Sequence, residues 1–169
     1  MKHIATLLSF AIIGFVSTSA RAADNNRPLD QELLVKASSC TNATIEASNI
    51  AAKRAQSQDV KTFAQKMSED HKKCQDRLAQ IVKDRKIAVV SGLEPNTKND
   101  IEKLGKLQGA ELDRAYLDWV IKGHREGIEM LQNQADNGKD NELRTFAKEQ
   151  IPGMREHLKR AEELNKAQN

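Results

Sequence analysis

The nineteen residues from Val60 to Leu78, VKTFAQKMSEDHKKCQDRL, constrain the fold more than any other part of the chain. Val60, Phe63, Ala64, Met67, His71, Cys74 and Leu78 recur at steps of three and four, which places them on one face of a helix. Lys61, Gln65, Lys66, Glu69, Lys72, Lys73 and Asp76 fill the opposite face, so the helix buries one side and wets the other. Such a helix needs partners patterned in the same way. It also carries a histidine and a cysteine into the face that those partners cover.

The chain starts differently. Lys2 and His3 precede an apolar run from Ile4 to Val16, and Ala20-Arg21-Ala22 ends the segment in a small-x-small pattern. Residues 1–22 therefore read as a signal peptide and 23–169 as one helical bundle domain. The apolar run is shorter than the roughly 20 residues that span a bilayer, and no later stretch is apolar enough to hold the product there. The expectation is a periplasmic protein with no membrane anchor after signal cleavage.

Beyond residue 22 the chain holds 25 Lys and Arg against 24 Asp and Glu, interspersed and without a basic block. Aromatics in that part are Phe63, Tyr116, Trp119 and Phe146. The electrostatic footprint of a nucleic-acid binder is absent, so no nucleic acid is expected as a partner. A protein partner or a homo-oligomer stays open.

Helical periodicity continues through the rest. Asp30 is placed to cap a first helix running to about Gln56, with Leu33, Ala37, Cys40, Thr44, Ala47 and Ala51 inward. Ser57 caps the second helix, which ends near Arg85. A connection this short makes the two an antiparallel hairpin. Lys86 to Asn96 breaks the pattern, Thr97 caps a short helix that ends before Gly109, and a third long helix spans about Ala110 to Asn137. A fourth runs from about Lys139 to Lys166, with an interruption expected at Pro152.

A hairpin centred near Ser57 puts Cys40 and Cys74 at equal heights, both read as inward. In an oxidising compartment that arrangement predicts a disulfide, with two buried thiols as the alternative. Closing such a loop would stabilise the fold by roughly 3 to 4 kcal/mol in the chain-entropy model.

Phe63-Ala64 with Met67 and Asp70-His71, then Gly109, Asp113 and Tyr116 followed by His124, then Phe146-Ala147 followed by Pro152 and His157-Leu158, together resemble the bacterial exported family called domain of unknown function 4142. The resemblance covers nearly all of the chain after the signal. It implies the ferritin-like superfamily and an all-α four-helix bundle with a long crossover connection between helices 2 and 3, and it carries no activity with it. By position Glu46, Asp70, His71, Asp113, Tyr116, His124, Pro152 and His157 match the family pattern. Leu112 stands where Phe is common, and the two cysteines lie outside the pattern.

Apart from His3, each histidine lies on a core stripe, one on each of the last three long helices, while Glu46 lies near the inner face of the first. At a rise of ~1.5 Å per residue the hairpin sets Glu46 and His71 within ~5 Å in height; the implied crossover then levels His124 with His71 and leaves His157 ~7 Å along the axis. Glu46, His71, His124 and His157 thus form a candidate metal site, and three imidazoles with a carboxylate suit zinc, iron or copper. Met67 and Met154, each about one turn from a histidine, add copper's preferred donors, although methionine also serves as core filler. Ferritin-like di-iron centres need Glu three residues before His on two helices. Here Ser68, Ile121 and Met154 occupy those places, so di-iron chemistry is excluded.

The competing reading makes the histidines structural, neutral and hydrogen-bonded to Asp70, Glu46, Tyr116 or backbone carbonyls. Gly123 and Gly127 beside His124 fit either close helix packing or room for a ligand. No nucleophile turn or phosphate loop occurs, so no catalytic residue is assigned. Two functions remain: a non-catalytic stress or envelope-interaction module, and a metal-binding bundle.

Overall fold

The computed structural model describes residues 27–85, 92–93 and 95–168; the signal expected at 1–22 lies outside them. Four long helices form the bundle: α1 (Arg27–Arg54), α2 (Gln58–Arg85), α4 (Gly109–Asn137) and α5 (Asn141–Ala167), with the short α3 (Pro95–Leu104) between α2 and α4. Alanines 37, 43, 47 and 51 and the small polar residues Ser39, Thr41, Thr44 and Ser48 are buried on α1, and Ala55 is buried just past its end. Side chains this small let α2 and α4 approach α1 closely. The larger apolar residues of α2, α4 and α5 supply the volume between them.

Two contacts at opposite ends fix the direction of α4 against α1. At one end the Gln134 amide donates to Asp30 Oδ1 at 2.6 Å. At the other, the backbone N–H groups of Gln56 and Ser57 donate to the two carboxylate oxygens of Asp113, at 2.8 and 2.7 Å. α1 and α4 are therefore antiparallel, as are α1 and α2 through their three-residue turn. The chain leaves α2 at one end of the bundle and begins α4 at the other, so the connection between them runs the bundle's length. This is the expected crossover. α3 lies along it, burying Ile101 and Leu104, and Arg54 secures the segment by donating to the carbonyls of Gly105 and Leu107 at 2.5 and 2.8 Å. Gly109 opens α4 with φ +60°, a left-handed conformation that glycine adopts without penalty.

Local expectations fare unevenly. Ser57 does cap α2, its Oγ accepting from Val60 N at 3.5 Å. Asp30 lies within the first turn of α1 and not before it, its carboxylate taken by Gln134. α3 starts at Pro95, two residues before the expected cap at Thr97. Asp140 caps α5 at Leu143 N, and the helix runs unbroken through Pro152, whose ring sits on the exposed side.

The expected Cys40–Cys74 disulfide is not formed. Height was judged correctly but rotation was not. Thr41 stands across from Cys74, its Oγ1 donating to Sγ at 3.8 Å, and one step back along a helix turns Cys40 about 100° to the exposed edge.

Asp113 is 1 % exposed and joins the α1–α2 turn to α4 through two charge-assisted hydrogen bonds. Asp113→Asn keeps the shape but aims an amide N–H at a backbone N–H. The expected loss is about 2–4 kcal/mol, read as a lower urea midpoint with unchanged slope.

Candidate metal centre

The buried side chains fall into two hydrophobic clusters. One, nearer the α1–α2 turn, contains Val60, Phe63, Met67, Leu112, Tyr116 and Leu117. The other, towards the opposite end, contains Leu33, Leu78, Ile81, Leu131, Leu143 and Phe146. His71 on α2, His124 on α4 and His157 on α5 meet at the seam between them. Their ring centroids form a nearly equilateral triangle with sides of 5.6, 5.6 and 5.5 Å. His71 and His124 are 8 % and 3 % exposed, and the side chain of His157 is 13 % exposed.

Each imidazole has one nitrogen fixed by an acceptor. His71 Nδ1 lies 3.0 Å from the Met67 carbonyl and His124 Nδ1 3.0 Å from the Val120 carbonyl, both one turn back on their own helices. His157 Nε2 lies 3.1 Å from Asp70 Oδ2. A nitrogen facing a carbonyl or carboxylate oxygen carries the proton, so the lone pairs sit on Nε2 of His71, Nε2 of His124 and Nδ1 of His157. Among the described residues, His124 Nε2 and His157 Nδ1 are buried with no hydrogen-bond partner. The structural reading of the histidines explains one nitrogen per ring and leaves these two unexplained.

The geometry suits an ion. Three imidazoles bound to one metal at 2.0–2.1 Å would hold their centroids about 5.2–5.5 Å apart, close to the observed triangle. The offered nitrogens lie within 4.8 Å of one another, and ring rotations bring such atoms to the ~3.5 Å that a shared ion requires. The N–H contacts to carbonyls and to Asp70 are the outer-shell bonds that orient metal-binding histidines.

Electrostatics keep His71 and His124 neutral. Burial, reinforced by the neighbouring His157 and opposed by the Met67 carbonyl and Asp70, lowers the His71 pKa to about 4. Burial, followed by His71 and His157, lowers that of His124 to about 3. At Asp70 burial pushes the carboxyl up, but hydrogen bonds from Lys66 and His157 outweigh it and hold the group below its ordinary range.

Of the four expected ligands, the structure brings together His71, His124 and His157. Glu46 is exposed, because Ala43, Ala47 and Ser48 take the inward positions of α1, and it lies outside the group. Nor is His157 offset by ~7 Å. That estimate turned the α4–α5 hairpin at Gly138, whereas His124 and His157 pair about a centre at Asp140–Asn141, and each residue of shift moves partners by ~3 Å. Tyr116 is engaged elsewhere, with its hydroxyl 2.9 Å from Ser48 Oγ. Sequence reasoning missed the cavity beside the triad. Its volume is ≈650 Å³, and its walls include Cys40, Cys74, Trp119, Gly123, Met130 and Met154 as well as the three histidines. A Cβ at Gly123 would meet nothing within 4 Å, so close helix packing is not why a glycine stands there.

The fold and site define an all-α bundle, crossed over between its second and third long helices, that buries a convergent group of three histidines. The chain belongs to the family described as Domain of unknown function (DUF4142), whose model matches residues 16–164. Solved structures with the same fold include a DUF305 protein of Streptomyces coelicolor, inferred to be secreted, with TM-score 0.72 and 16 % identity over 83 % of this chain and 93 % of that one. A DUF305 fragment from Deinococcus radiodurans reaches TM-score 0.75 at 12 % identity, over 83 % and 97 %. CopM in the Cu(II)-bound form reaches 0.71 at 16 %, again over 83 % and 97 %. No curated protein matches the chain in sequence.

The lowered histidine pKa values set a pH dependence of stability, to be read in the presence of a chelator. Unfolding returns both rings to about 6.5, so below that pH the unfolded chain binds more protons than the folded one. Stability is full above pH ~6.5 and falls as the pH drops towards 4, by at most about 1.4 kcal/mol per pH unit for each ring. Denaturant titrations across that range should show this slope, and His124→Gln should remove its share.

Proposed function

We propose that this protein is an exported binder of a transition-metal ion, copper above the others, held by His71 Nε2, His124 Nε2 and His157 Nδ1. The observation that carries the reading is the pair of buried imidazole nitrogens, on His124 and His157, that lack a partner while pointing into a three-histidine group. A buried polar atom without a partner costs free energy, and a metal supplies one to all three rings at once.

Copper is favoured over zinc and iron by the surroundings. Thioether and thiol sulfurs of Met130, Met154, Cys40 and Cys74 line the same cavity, and soft donors select copper in its reduced state. CopM, which has this fold, is known in both Cu(II)-bound and Cu(I)-bound forms. Export is supported by the signal-like residues 1–22 and by the DUF305 protein inferred to be secreted.

The test is metal analysis of untagged protein purified from its native compartment, followed by loading with copper, zinc and iron in turn. Near one equivalent of tightly held Cu(II) is expected, with affinity reduced at least about 100-fold in His71→Ala and His124→Ala, since two of three ligands remain. Protein that takes up none of the three ions, or whose affinity is the same in both variants, would rule the reading out.

A further inference from the structure

The helix register places a second set of donors directly beneath the histidines. α2 and α4 run in the same direction and α5 runs against them, so residues three after His71, three after His124 and three before His157 share one layer, ~4.5 Å from the histidine plane. Those residues are Cys74, Gly127 and Met154, and Thr41 completes the layer from α1. Gly127 has a steric reason to be glycine: a Cβ there would lie 2.7 Å from Met154 Cε, so its absence lets the thioether extend into the layer. Met130, three residues past Gly127, brings another sulfur from the next turn. Cys74, Met130 and Met154 are all half-buried, pack on the same hydrophobic cluster and line the same cavity. Met67 differs on every count, being fully buried in the other cluster and absent from the cavity wall.

We propose a second binding site one turn below the histidines, in which Cys74 Sγ, Met154 Sδ and Met130 Sδ hold a soft monovalent d10 cation, Cu(I) or Ag(I). Thioethers and thiolates bind such ions and leave zinc, magnesium and calcium to harder donors. The Cys74 thiol releases its proton to solvent as the sulfur binds, with no change of oxidation state, and the Thr41 hydroxyl already donates to that sulfur. The site shares the cavity of the three-histidine group but none of its ligands.

Silver ion in chloride-free buffer is the probe, added to reduced, mature full-length protein carrying 13C-labelled methionine methyl groups. The Met154 and Met130 methyl resonances should move on titration while Met67 stays in place, and the protein should take two equivalents. Cys74→Ser combined with Met154→Leu, both near in volume to the residues they replace, should take one. His71→Ala combined with His124→Ala should retain the equivalent that moves the methionine signals, so failure of the histidine site alone leaves this site intact. Methionine methyl signals that do not respond to silver in the wild-type protein would overturn the proposal, as would unchanged stoichiometry in the Cys74 and Met154 variant.

Discussion

Three imidazoles at the seam between two apolar clusters impose the condition that the rest of the bundle satisfies. His71 and His124 are held neutral there, and the N–H of every ring must be given an acceptor or the burial is costly. α2 and α4 each meet the condition from within, through the carbonyl one turn back at Met67 and Val120. α5 does not, and borrows Asp70 from α2. The rings meet only if the two hairpins are in register, to within a fraction of a turn. That register is fixed far from the histidines, by Asp113 on the α1–α2 turn at one end and by the Asp30–Gln134 contact at the other.

Asp70 links the site to the surface. Its carboxylate accepts from His157 within the cavity and from Lys66 and Lys73 outside it. The lysine contacts are exposed, and in isolation such pairs contribute little to stability. Their consequence here is directional. With Asp70 held ionised and turned inward, the proton of His157 stays on Nε2, and Nδ1 is left bare towards the other two rings. A carboxylate behind an imidazole also raises its basicity as a ligand.

Much of this was legible in the sequence, for a physical reason. Helical periodicity depends on burial, and burial governs most of the chain, so the four long helices, the tight α1–α2 hairpin and the inward histidines all followed from spacing. What spacing could not supply was rotation and long-range register. Cys40 and Cys74 are level, yet about 100° about the α1 axis separates Cys40 from the position that faces α2, and Thr41 has that position. Glu46 failed in the same manner, being near the inner face by count and exposed in fact. The offset of His157 was an error of hairpin centre, doubled as it passes from one helix to the other. Asp113 was matched by family pattern alone; its role needed the crossover, which brings the start of α4 to a turn more than fifty residues earlier. The cavity left only one trace in the sequence, the glycines beside His124.

Gly123 and Gly153 separate the demands of folding from those of the site. A glycine within a helix costs up to about 1 kcal/mol relative to alanine. At Gly123 and Gly153 an added Cβ would meet nothing within 4 Å, so alanine would fit and neither position gains from closer packing. Both line the ≈650 Å³ cavity next to the histidines. The cavity opens to solvent past both glycines, which are exposed, while the polar atoms at its histidine end are buried and two of them lack partners. A bundle selected for stability alone would fill the cavity from α4 and α5 and replace the histidines with leucines. This one keeps thin helix walls, His71 and His124 neutral and two partnerless nitrogens in a single place, which is the arrangement that the proposed ion would stabilise.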